Sequence, residues 1–333
     1  MKRTILIVHP GALGDVLLAV PAIRNLSMKF PQHETVLIAT AAVGRLLSEC
    51  GVIDEWIPLE GQACLGLFSD TLSVTEELQS WLNRCDAAVV WTEDKDGALG
   101  FLFQKLCIAL VQIQSPFSPV LRARHQSNRF LETLGETAGG FSLERTVQVP
   151  PHLLEQGKDY LGALRISRDR SLALVHPGSG SVHKCLEPRR MASLIEQLWR
   201  GGLCPLILEG PADRDVVHHA LQFVSKPPIV LRDLHLSQLA GVLACVTLYI
   251  GHDSGVTHLS ALLGVPTIAL FGPTDSQRWA PHGRHVTILR GEPCLCDSWE
   301  TVTKCVEKPC LQVPVEEILI ASTCIGNEQC KPS

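Results

Sequence analysis

Short apolar segments alternate with segments of helical period along the whole chain. Polar residues seldom interrupt the apolar segments, which is typical of parallel strands covered by helices on both faces. Between them, apolar positions recur with helical spacing, as in Val16–Ser27, Pro188–Arg200 and Leu236–Ala244. Alternating strands and helices indicate βαβ units with right-handed crossovers, and hence an α/β fold. The predicted strands are Thr4–Val8, Thr35–Ala39, Ala87–Trp91, Ser171–Val175, Cys204–Leu208, Ile229–Leu231, Leu248–Ile250 and Thr267–Phe271.

The phrase at the start of the chain recurs in its middle. ILIVHPGALGD begins at Ile5, and LALVHPGSGS begins at Leu172. Each predicts a strand, a His-Pro-Gly turn, a loop of small residues and a helix. The repeat therefore predicts two Rossmann-like, doubly wound parallel-sheet domains facing a cleft, with the carboxyl ends of the strands directed at the ligand. We expect one domain over residues 1–160, a second over 170–320 and a cysteine-containing tail over 321–333.

Composition and charge narrow the class of protein. A length of 333 residues suits two domains. No apolar run reaches the roughly 18 residues that a membrane helix needs. The first apolar stretch stops at His9-Pro10, too early for a secretory signal, so we expect a cytoplasmic protein. A net charge of −5 argues against a nucleic-acid partner.

The first glycine-rich loop, HPGALGD, leads to a carboxylate at Asp15. It lacks both the Gly-Lys-Ser/Thr of a Walker A loop and the spacing of GxGxxG, so an NAD-dependent enzyme is a poor alternative. Asp15 is expected at a helix N-terminus. There it either caps the helix or faces the cleft and accepts a proton.

The loop HPGSGSVHK, residues 176–184, offers backbone N–H groups to an anion. Ser179 and Gly180 lie in this loop, and Lys184 follows it. Loops of this kind receive phosphate groups. The alternative is that Lys184 is an ordinary surface lysine.

The stretch YIGHDSGVTHLSALLGVPTIALFGPTD, residues 249–275, predicts a strand, a capped helix and a second strand. Asp253 or Ser254 is the expected cap, and Gly255 opens the helix. The helix N-terminus carries a partial positive charge, and His258 lies one turn along. This unit therefore predicts a pyrophosphate site. In LILEGPADRD, Glu209 and Asp213 are both candidates for binding ribose hydroxyls.

Together these four stretches resemble glycosyltransferase family 9, the ADP-heptose:lipopolysaccharide heptosyltransferase family. The matching pieces are GALGDVLLAVPAIRNL, HPGSGSVHK, LEGPADRD and GHDSGVTHLSALLGVPTIALFGPTD, which span residues 11–275. The resemblance implies a GT-B fold. It also implies an inverting transfer of a heptose or related sugar from an ADP-sugar to the lipopolysaccharide inner core.

The same resemblance implies roles for individual residues. Asp15 would be the general base and Lys184 the lysine that neutralises the phosphates. No cofactor and no metal ligand are expected, because lysine and backbone amides would hold the ADP. The acceptor would be of the Kdo-lipid A type, which would bring the enzyme to the inner face of the inner membrane. The implied donor-binding residues are Ser179, Gly180, Lys184, Glu209, Asp213, Asp253, Ser254, Gly255 and His258.

A stretch without acidic residues, from Gly97 to Leu131, predicts a basic patch. The patch would bind phosphates or carboxylates of the acceptor, unless its arginines are simply solvated. The candidate acceptor-binding residues are Gly14, Arg122, Arg124 and Arg129.

Six of the 13 cysteines lie in the last 40 residues, at positions 294, 296, 305, 310, 324 and 330. The first pair has C-x-C spacing, whereas standard zinc pairs have two to four intervening residues. Reduced thiols and a structural metal site both remain open.

Two other functions fit the fold. A nucleotide-sugar epimerase acting on UDP-GlcNAc would need further acids and a histidine, and no such set is apparent. A non-catalytic nucleotide-sugar binder would keep the donor loops and have no use for Asp15.

Overall fold

The computed structural model describes residues 2–65, 75–115, 117, 124–135, 146–167 and 169–324. The chain forms two units, Met1–Glu144 and Arg145–Ser333. Over the described residues, each unit contains one sheet whose strands pair in parallel, with helices between them. The α/β class and the two doubly wound domains are thereby confirmed. Arg122 and Cys330 lie outside the described residues.

The first unit has five described strands in the order β3-β2-β1-β4-β5. The chain runs outward from β1 to β3 and then returns to place β4 on the other side of β1. All five residues of β1 are buried. The elements are β1 Thr4–Val8, α1 Leu13–Lys29, β2 Glu34–Ala39, α2 Ala41–Glu49, β3 Glu55–Pro58, α3 Gln62–Leu65, α4 Glu76–Leu82, β4 Cys85–Val90, α5 Ala98–Lys105, β5 Leu110–Ile113 and α6 Gln126–Glu132.

The second unit has six described strands in the order β11-β10-β9-β6-β7-β8. Here the chain runs outward from β6 to β8 and returns to place β9 beside β6. The elements are α7 Pro151–Ala163, β6 Leu172–His176, α8 Pro188–Arg200, β7 Cys204–Glu209, α9 Arg214–Leu221, β8 Ile229–Arg232, α10 Leu236–Leu243, β9 Leu248–His252, α11 Gly255–Leu262, β10 Thr267–Leu270, α12 Ser276–Trp279, β11 Val286–Leu289, α13 Trp299–Lys304 and α14 Val315–Cys324.

The repeated His-Pro-Gly phrase occupies the same position in both sheets. β1 and β6 are the strands at which the order of their sheet reverses. Ligands of open α/β sheets bind beyond the carboxyl ends of the strands at such a switch point. The loops that follow β1 and β6 are therefore the places to look for a site.

Helix α7 packs with the second unit. A Cβ added to Gly157 would lie 2.2 Å from the carbonyl oxygen of Gly241, so α7 and α10 meet backbone to backbone. This contact explains why the second unit begins earlier than residue 170. At the other end, Ile318 of α14 is buried in the second core, and the helix continues into the expected tail.

Among the described helices, none is both long enough and apolar enough to cross a membrane.

Candidate functional site

The carboxyl ends of β6 and β9 lie side by side at the switch point of the second sheet. After β9, Asp253 and Ser254 lead into α11. The Ser254 side chain accepts a hydrogen bond from the Thr257 N–H, so Ser254 is the N-cap. The first-turn amides of α11 give this edge of the sheet a partial positive charge.

Lys184 and Asp253 form an ion pair at this edge, with Nζ and Oδ2 2.7 Å apart. The pair links the 177–186 loop, which joins β6 to α8, to the start of α11. Ser179 strengthens the link, since its hydroxyl donates to the Asp253 carbonyl oxygen at 2.7 Å. The structure thus brings together three predicted site residues that are far apart in the sequence. Gly180 is exposed in the same loop.

Lys184 is more than a solvated lysine. The Lys184 side chain is only 23% exposed, and the Asp253 side chain is 10% exposed. An ammonium group has three N–H donors, and the hydrogen bond to Asp253 uses one of them. The remaining donors and the amides of α11 form a positive surface suited to a diphosphate.

The sequence analysis missed His252, which anchors the 177–186 loop. The Leu186 N–H donates to His252 Nε2 at 2.9 Å, and Nδ1 lies 3.4 Å from the Gly178 carbonyl oxygen. This network assigns the proton to Nδ1. His252 is fully buried, and burial, assisted by the charge of His176, lowers its pKa to about 4. The neutral ring therefore holds both ends of the loop.

A second buried histidine, His176, positions Asp213. His176 Nε2 and Asp213 Oδ2 are 2.9 Å apart, and the same oxygen accepts the Gly210 N–H at 3.0 Å. Burial would raise the pKa of Asp213, but the hydrogen bond and charge of His176 lower it. A Cβ on Gly178 would lie 1.8 Å from Asp213 Oδ1, so this carboxylate packs directly against the loop.

The other candidate for the ribose, Glu209, ends β7. Its Oε1 accepts a hydrogen bond from Arg232 Nε at 2.9 Å, and its side chain is 11% exposed. Glu209 thus lies at the strand end, whereas Asp213 is enclosed by the loop.

His258 is buried in the first turn of α11, and its N–H donates to the Ser254 carbonyl oxygen. The buried hydroxyl of Tyr249 lies 3.1 Å from Thr257 Oγ1 and 3.3 Å from His176 Nδ1. This network joins β6, β9 and α11 beneath the site.

In the first unit, Asp15 lies in the first turn of α1, and its Oδ2 accepts the Ala12 N–H at 3.3 Å. The preceding loop folds over His9. The Gly11 N–H donates to His9 Nδ1 at 3.1 Å, and a Cβ on Gly11 would lie 2.7 Å from His9 Cε1. Ala12, and not Asp15, is therefore the N-cap, and Asp15 is the third residue of the helix, from which its partly exposed carboxylate accepts the N-cap N–H.

His9 itself is buried against two aromatic rings. The centroids of Trp91 and Phe130 lie 5.6 and 5.2 Å from its own. Burial lowers its pKa to about 4. Each sheet therefore places a neutral histidine beneath the loops at its switch point.

Of the candidate acceptor residues that the structure describes, Gly14 lies next to Asp15, Arg124 precedes α6, and Arg129 lies on α6. Gly14 is part of the first turn of α1. Arg129 of α6 is buried and pairs with Glu132 at 3.0 Å, and Arg124 pairs with the same carboxylate. Arg124 keeps 60% of its exposure, so of these two arginines it is the accessible one.

We expect the protein to lose stability as the pH falls from about 6.5 to about 4. His9 and His252 stay neutral when folded, whereas the unfolded chain takes up these protons near pH 6.5. The unfolded state binds more protons in this window. The free energy of unfolding therefore decreases as the pH falls, by about 3 kcal/mol for each histidine over the whole window. Urea unfolding between pH 7.5 and pH 4, in steps of about half a unit, measures the slope.

The variant His252→Asn should flatten that slope by about 1.4 kcal/mol per pH unit. The exposed His219 provides the control. An equal change of slope in His219→Asn, or none in His252→Asn, would contradict the assignment.

Three comparisons connect this geometry to known proteins. The family model "Glycosyltransferase family 9 (heptosyltransferase)" matches residues 132–310, more than half of the chain. Lipopolysaccharide heptosyltransferase 3 of Escherichia coli is 26% identical over 116 residues, which cover 34% of this chain and 34% of that relative. The matched segment thus spans about a third of the relative's length.

Solved structures show the same fold over nearly the whole chain. The glycosyl transferase family 9 protein from Veillonella parvula has a TM-score of 0.79 at 18% identity, with 97% of each chain covered. The E. coli ADP-heptose lps heptosyltransferase II has a TM-score of 0.71 at 19% identity, with 96% of this chain and 98% of that chain covered. At this identity the likeness establishes the fold alone, which is the expected GT-B type.

Proposed function

The chain belongs to glycosyltransferase family 9, the heptosyltransferases, and from this premise we propose that it transfers a heptose from an ADP-heptose donor to the lipopolysaccharide inner core. The observation that carries the proposal is the Lys184–Asp253 pair at the start of α11. It puts a restrained positive charge beside helix amides at a sheet switch point. This combination suits the diphosphate of a nucleotide-sugar.

We assign residues at this edge of the second sheet to the diphosphate, the ribose and the sugar of the donor. Lys184 and the amides of Ser254 and Gly255 would bind the diphosphate. Glu209, at the end of β7, is the better candidate for the ribose, because Asp213 is enclosed by His176 and Gly178. Asp253 and His258 would lie towards the sugar. ADP as the nucleotide is supported by the similarity in fold to the E. coli ADP-heptose lps heptosyltransferase II.

The proposed reaction is a single displacement that inverts the anomeric centre. The acceptor hydroxyl attacks the anomeric carbon as the bond to the diphosphate breaks, and ADP leaves. The hydroxyl proton passes to the Asp15 carboxylate, which a partly exposed position at the start of α1 permits. General-base help of this kind accelerates reactions by about 10²–10⁴-fold.

Negative charge develops on the leaving diphosphate. Lys184 and the helix amides are fixed before the reaction, and fixed donors of this kind contribute a few kcal/mol each. The lysine supplies the charge that a divalent metal supplies elsewhere, so we propose that transfer is independent of added metal. Equal turnover with and without added Mg²⁺ or Mn²⁺ tests this part.

For the acceptor we propose a Kdo-lipid A core carrying phosphates. Arg124, just before α6, is accessible, while Arg129 of α6 is buried against Glu132. Gly14 keeps the chain next to Asp15 free of a side chain. Arg122 remains a further candidate. A lipid-linked acceptor would require the enzyme to work at the inner face of the membrane.

Binding and turnover test the proposal directly. We expect calorimetry without metal to show binding of ADP and ADP-heptose, and weaker or no binding of UDP-GlcNAc. We also expect release of ADP when Kdo-lipid A is added with ADP-heptose. Binding of UDP-GlcNAc alone would overturn the donor assignment and favour the epimerase alternative. Tight binding of ADP-heptose with no transfer to any core acceptor would favour a non-catalytic binder.

A further inference from the structure

Thiol groups converge in the segment between β11 and α14. The sulfur atoms of Cys294 and Cys296 lie 2.9 Å apart, and those of Cys294 and Cys305 lie 3.8 Å apart. The three sulfurs all lie within 4.8 Å of one another. Cys310 is buried, and its carbonyl oxygen accepts a hydrogen bond from the N–H of Gly291, three residues before Cys294, which makes it the candidate for a fourth ligand. The cysteine cluster is defined as Cys294, Cys296, Cys305 and Cys310.

The grouping suits one tetrahedral metal ion if the Cys294 and Cys296 sulfurs, 2.9 Å apart here, separate by about 0.9 Å on binding it. Zinc binds thiolates at about 2.3 Å, which places neighbouring sulfurs of a tetrahedral site about 3.8 Å apart. The sulfurs of Cys294 and Cys305 already have that separation. Thiolates are the ligands that zinc prefers in closed structural sites.

The backbone brings the four positions together although the first pair has only one intervening residue. The Gly291 N–H donates to the Cys310 carbonyl oxygen at 2.9 Å, which closes the segment on itself. A Cβ on Gly291 would lie 2.2 Å from the Pro309 carbonyl oxygen, so only glycine fits there. Between Cys296 and Cys305, a Ser298 cap begins α13. These contacts fold the segment back on itself, so the four cysteines need not follow the usual spacing of zinc ligands.

The segment has little hydrophobic core of its own. Leu295 and Val306 are 101% and 92% exposed, and Trp299 is 50% exposed. Its buried apolar side chains are Val302, Leu311 and Val313, and segments with so few commonly depend on a metal or a disulfide for their stability. All four cysteines are free thiols in the structure.

We propose that the cysteine cluster is a tetrathiolate site for one structural Zn²⁺ ion.

The same segment supports the loop that carries Lys184. Lys308 Nζ donates to the Val182 carbonyl oxygen at 3.3 Å, and the rings of Trp299 and His183 meet edge to face at 6.4 Å. Lys308 and Val182 also line a common cavity of about 620 Å³. A bound ion would hold this segment, and with it the loop that carries Lys184, in place. Loss of the ion should therefore weaken nucleotide binding as a secondary effect. This secondary effect rests on the proposed function, whereas metal content does not.

Elemental analysis of the full-length protein, purified with reductant and without chelator, tests the site. We expect about one zinc ion per chain in the wild type and loss of most of it in Cys296→Ser and Cys305→Ser. Cys107→Ser is the matched control, because Cys107 is exposed and lies in the first unit. It should keep its zinc. A wild-type protein without metal, or with a disulfide within the cluster, would overturn the proposal, and stoichiometric iron would overturn the choice of zinc.

A second measurement covers variants that fail to fold. Wild-type protein unfolded with a chelator and refolded with Co²⁺ should show the thiolate-to-cobalt charge-transfer bands and the d–d bands of a tetrahedral centre. Addition of Zn²⁺ should bleach them. Absence of these bands, or equal bands in a folded Cys296→Ser protein, would contradict a tetrathiolate. Wild-type protein that has its full metal content but no glycosyltransferase activity would instead count against the proposed function.

Discussion

Replacement of Asp15 by asparagine is expected to lower kcat by about 10²–10⁴-fold, the range for removal of a general base. Asparagine has nearly the same shape, and its amide oxygen can still accept the Ala12 N–H that Asp15 accepts at 3.3 Å. The start of α1 should therefore survive while the proton acceptor is lost. Steady-state transfer from ADP-heptose to Kdo-lipid A measures kcat, and calorimetry measures the Kd for ADP, which should change by less than about two-fold.

A capping role alone makes a different prediction. Asp94 also accepts N–H groups at a helix start, from Leu99 and Gly100 of α5 at 3.1 and 2.9 Å. Loss of a helix cap costs about 1 kcal/mol of stability. Asp94→Ala, which removes the acceptor, should show such a cost with unchanged kcat. If Asp15→Asn kept full turnover, or lost it only in step with its stability, Asp15 would be a cap and the general base would have to be another residue.

The interior of both sheets could be predicted from the sequence. Thr4–Val8 is confirmed as β1 without change, and the predicted strands at Leu248 and Thr267 begin at the observed residues of β9 and β10. These strands are buried along their whole length, so every residue contributes to an apolar run. An apolar run in the sequence is therefore enough to predict such a strand.

Three strands were not predicted: β3, β5 and β11. Each lies at the edge of its sheet and is only partly buried. An edge strand is stabilised by hydrogen bonds to one neighbour, and its side chains need not be apolar. The pattern of apolar positions therefore carries little information about such strands, and only their pairing partners define them.

The loops at the carboxyl edge of the second sheet could be predicted, but the hydrogen bonds within them could not. Lys184, Ser179 and Asp253 each follow a predicted strand, and parallel strands bring such loops to one edge. By contrast, His176 and His252 act through partners 37 and 66 residues away along the chain. Which carboxylate a buried histidine contacts depends on side-chain packing. The sequence alone therefore left Glu209 and Asp213 as equal alternatives.

Lys184→Met is expected to raise the Kd for ADP by about 10–100-fold. Hydrogen bonds to charged groups contribute about 1.5–3 kcal/mol, and each 1.4 kcal/mol is a factor of ten in Kd. The substitution also leaves the Asp253 carboxylate, 10% exposed, without the cation that it contacts at 2.7 Å. That negative charge would then repel the diphosphate. Calorimetric titration with ADP measures Kd, and thermal unfolding without nucleotide measures stability.

A comparison of variants separates charge from structure. Lys158→Met, on the exposed face of α7 where Lys158 pairs with Glu155, controls for loss of a surface cation and should leave Kd unchanged. Asp253→Asn removes the partner but keeps Lys184, so it should retain ADP binding better than Lys184→Met does. If Lys184 served only to pair with Asp253, the two variants would lose stability alike, and ADP affinity would follow stability in both. The double variant Lys184→Met/Asp253→Asn leaves no unpaired carboxylate at this position, so a Kd that stays raised in it, as in Lys184→Met, requires the ammonium group itself to act on the nucleotide.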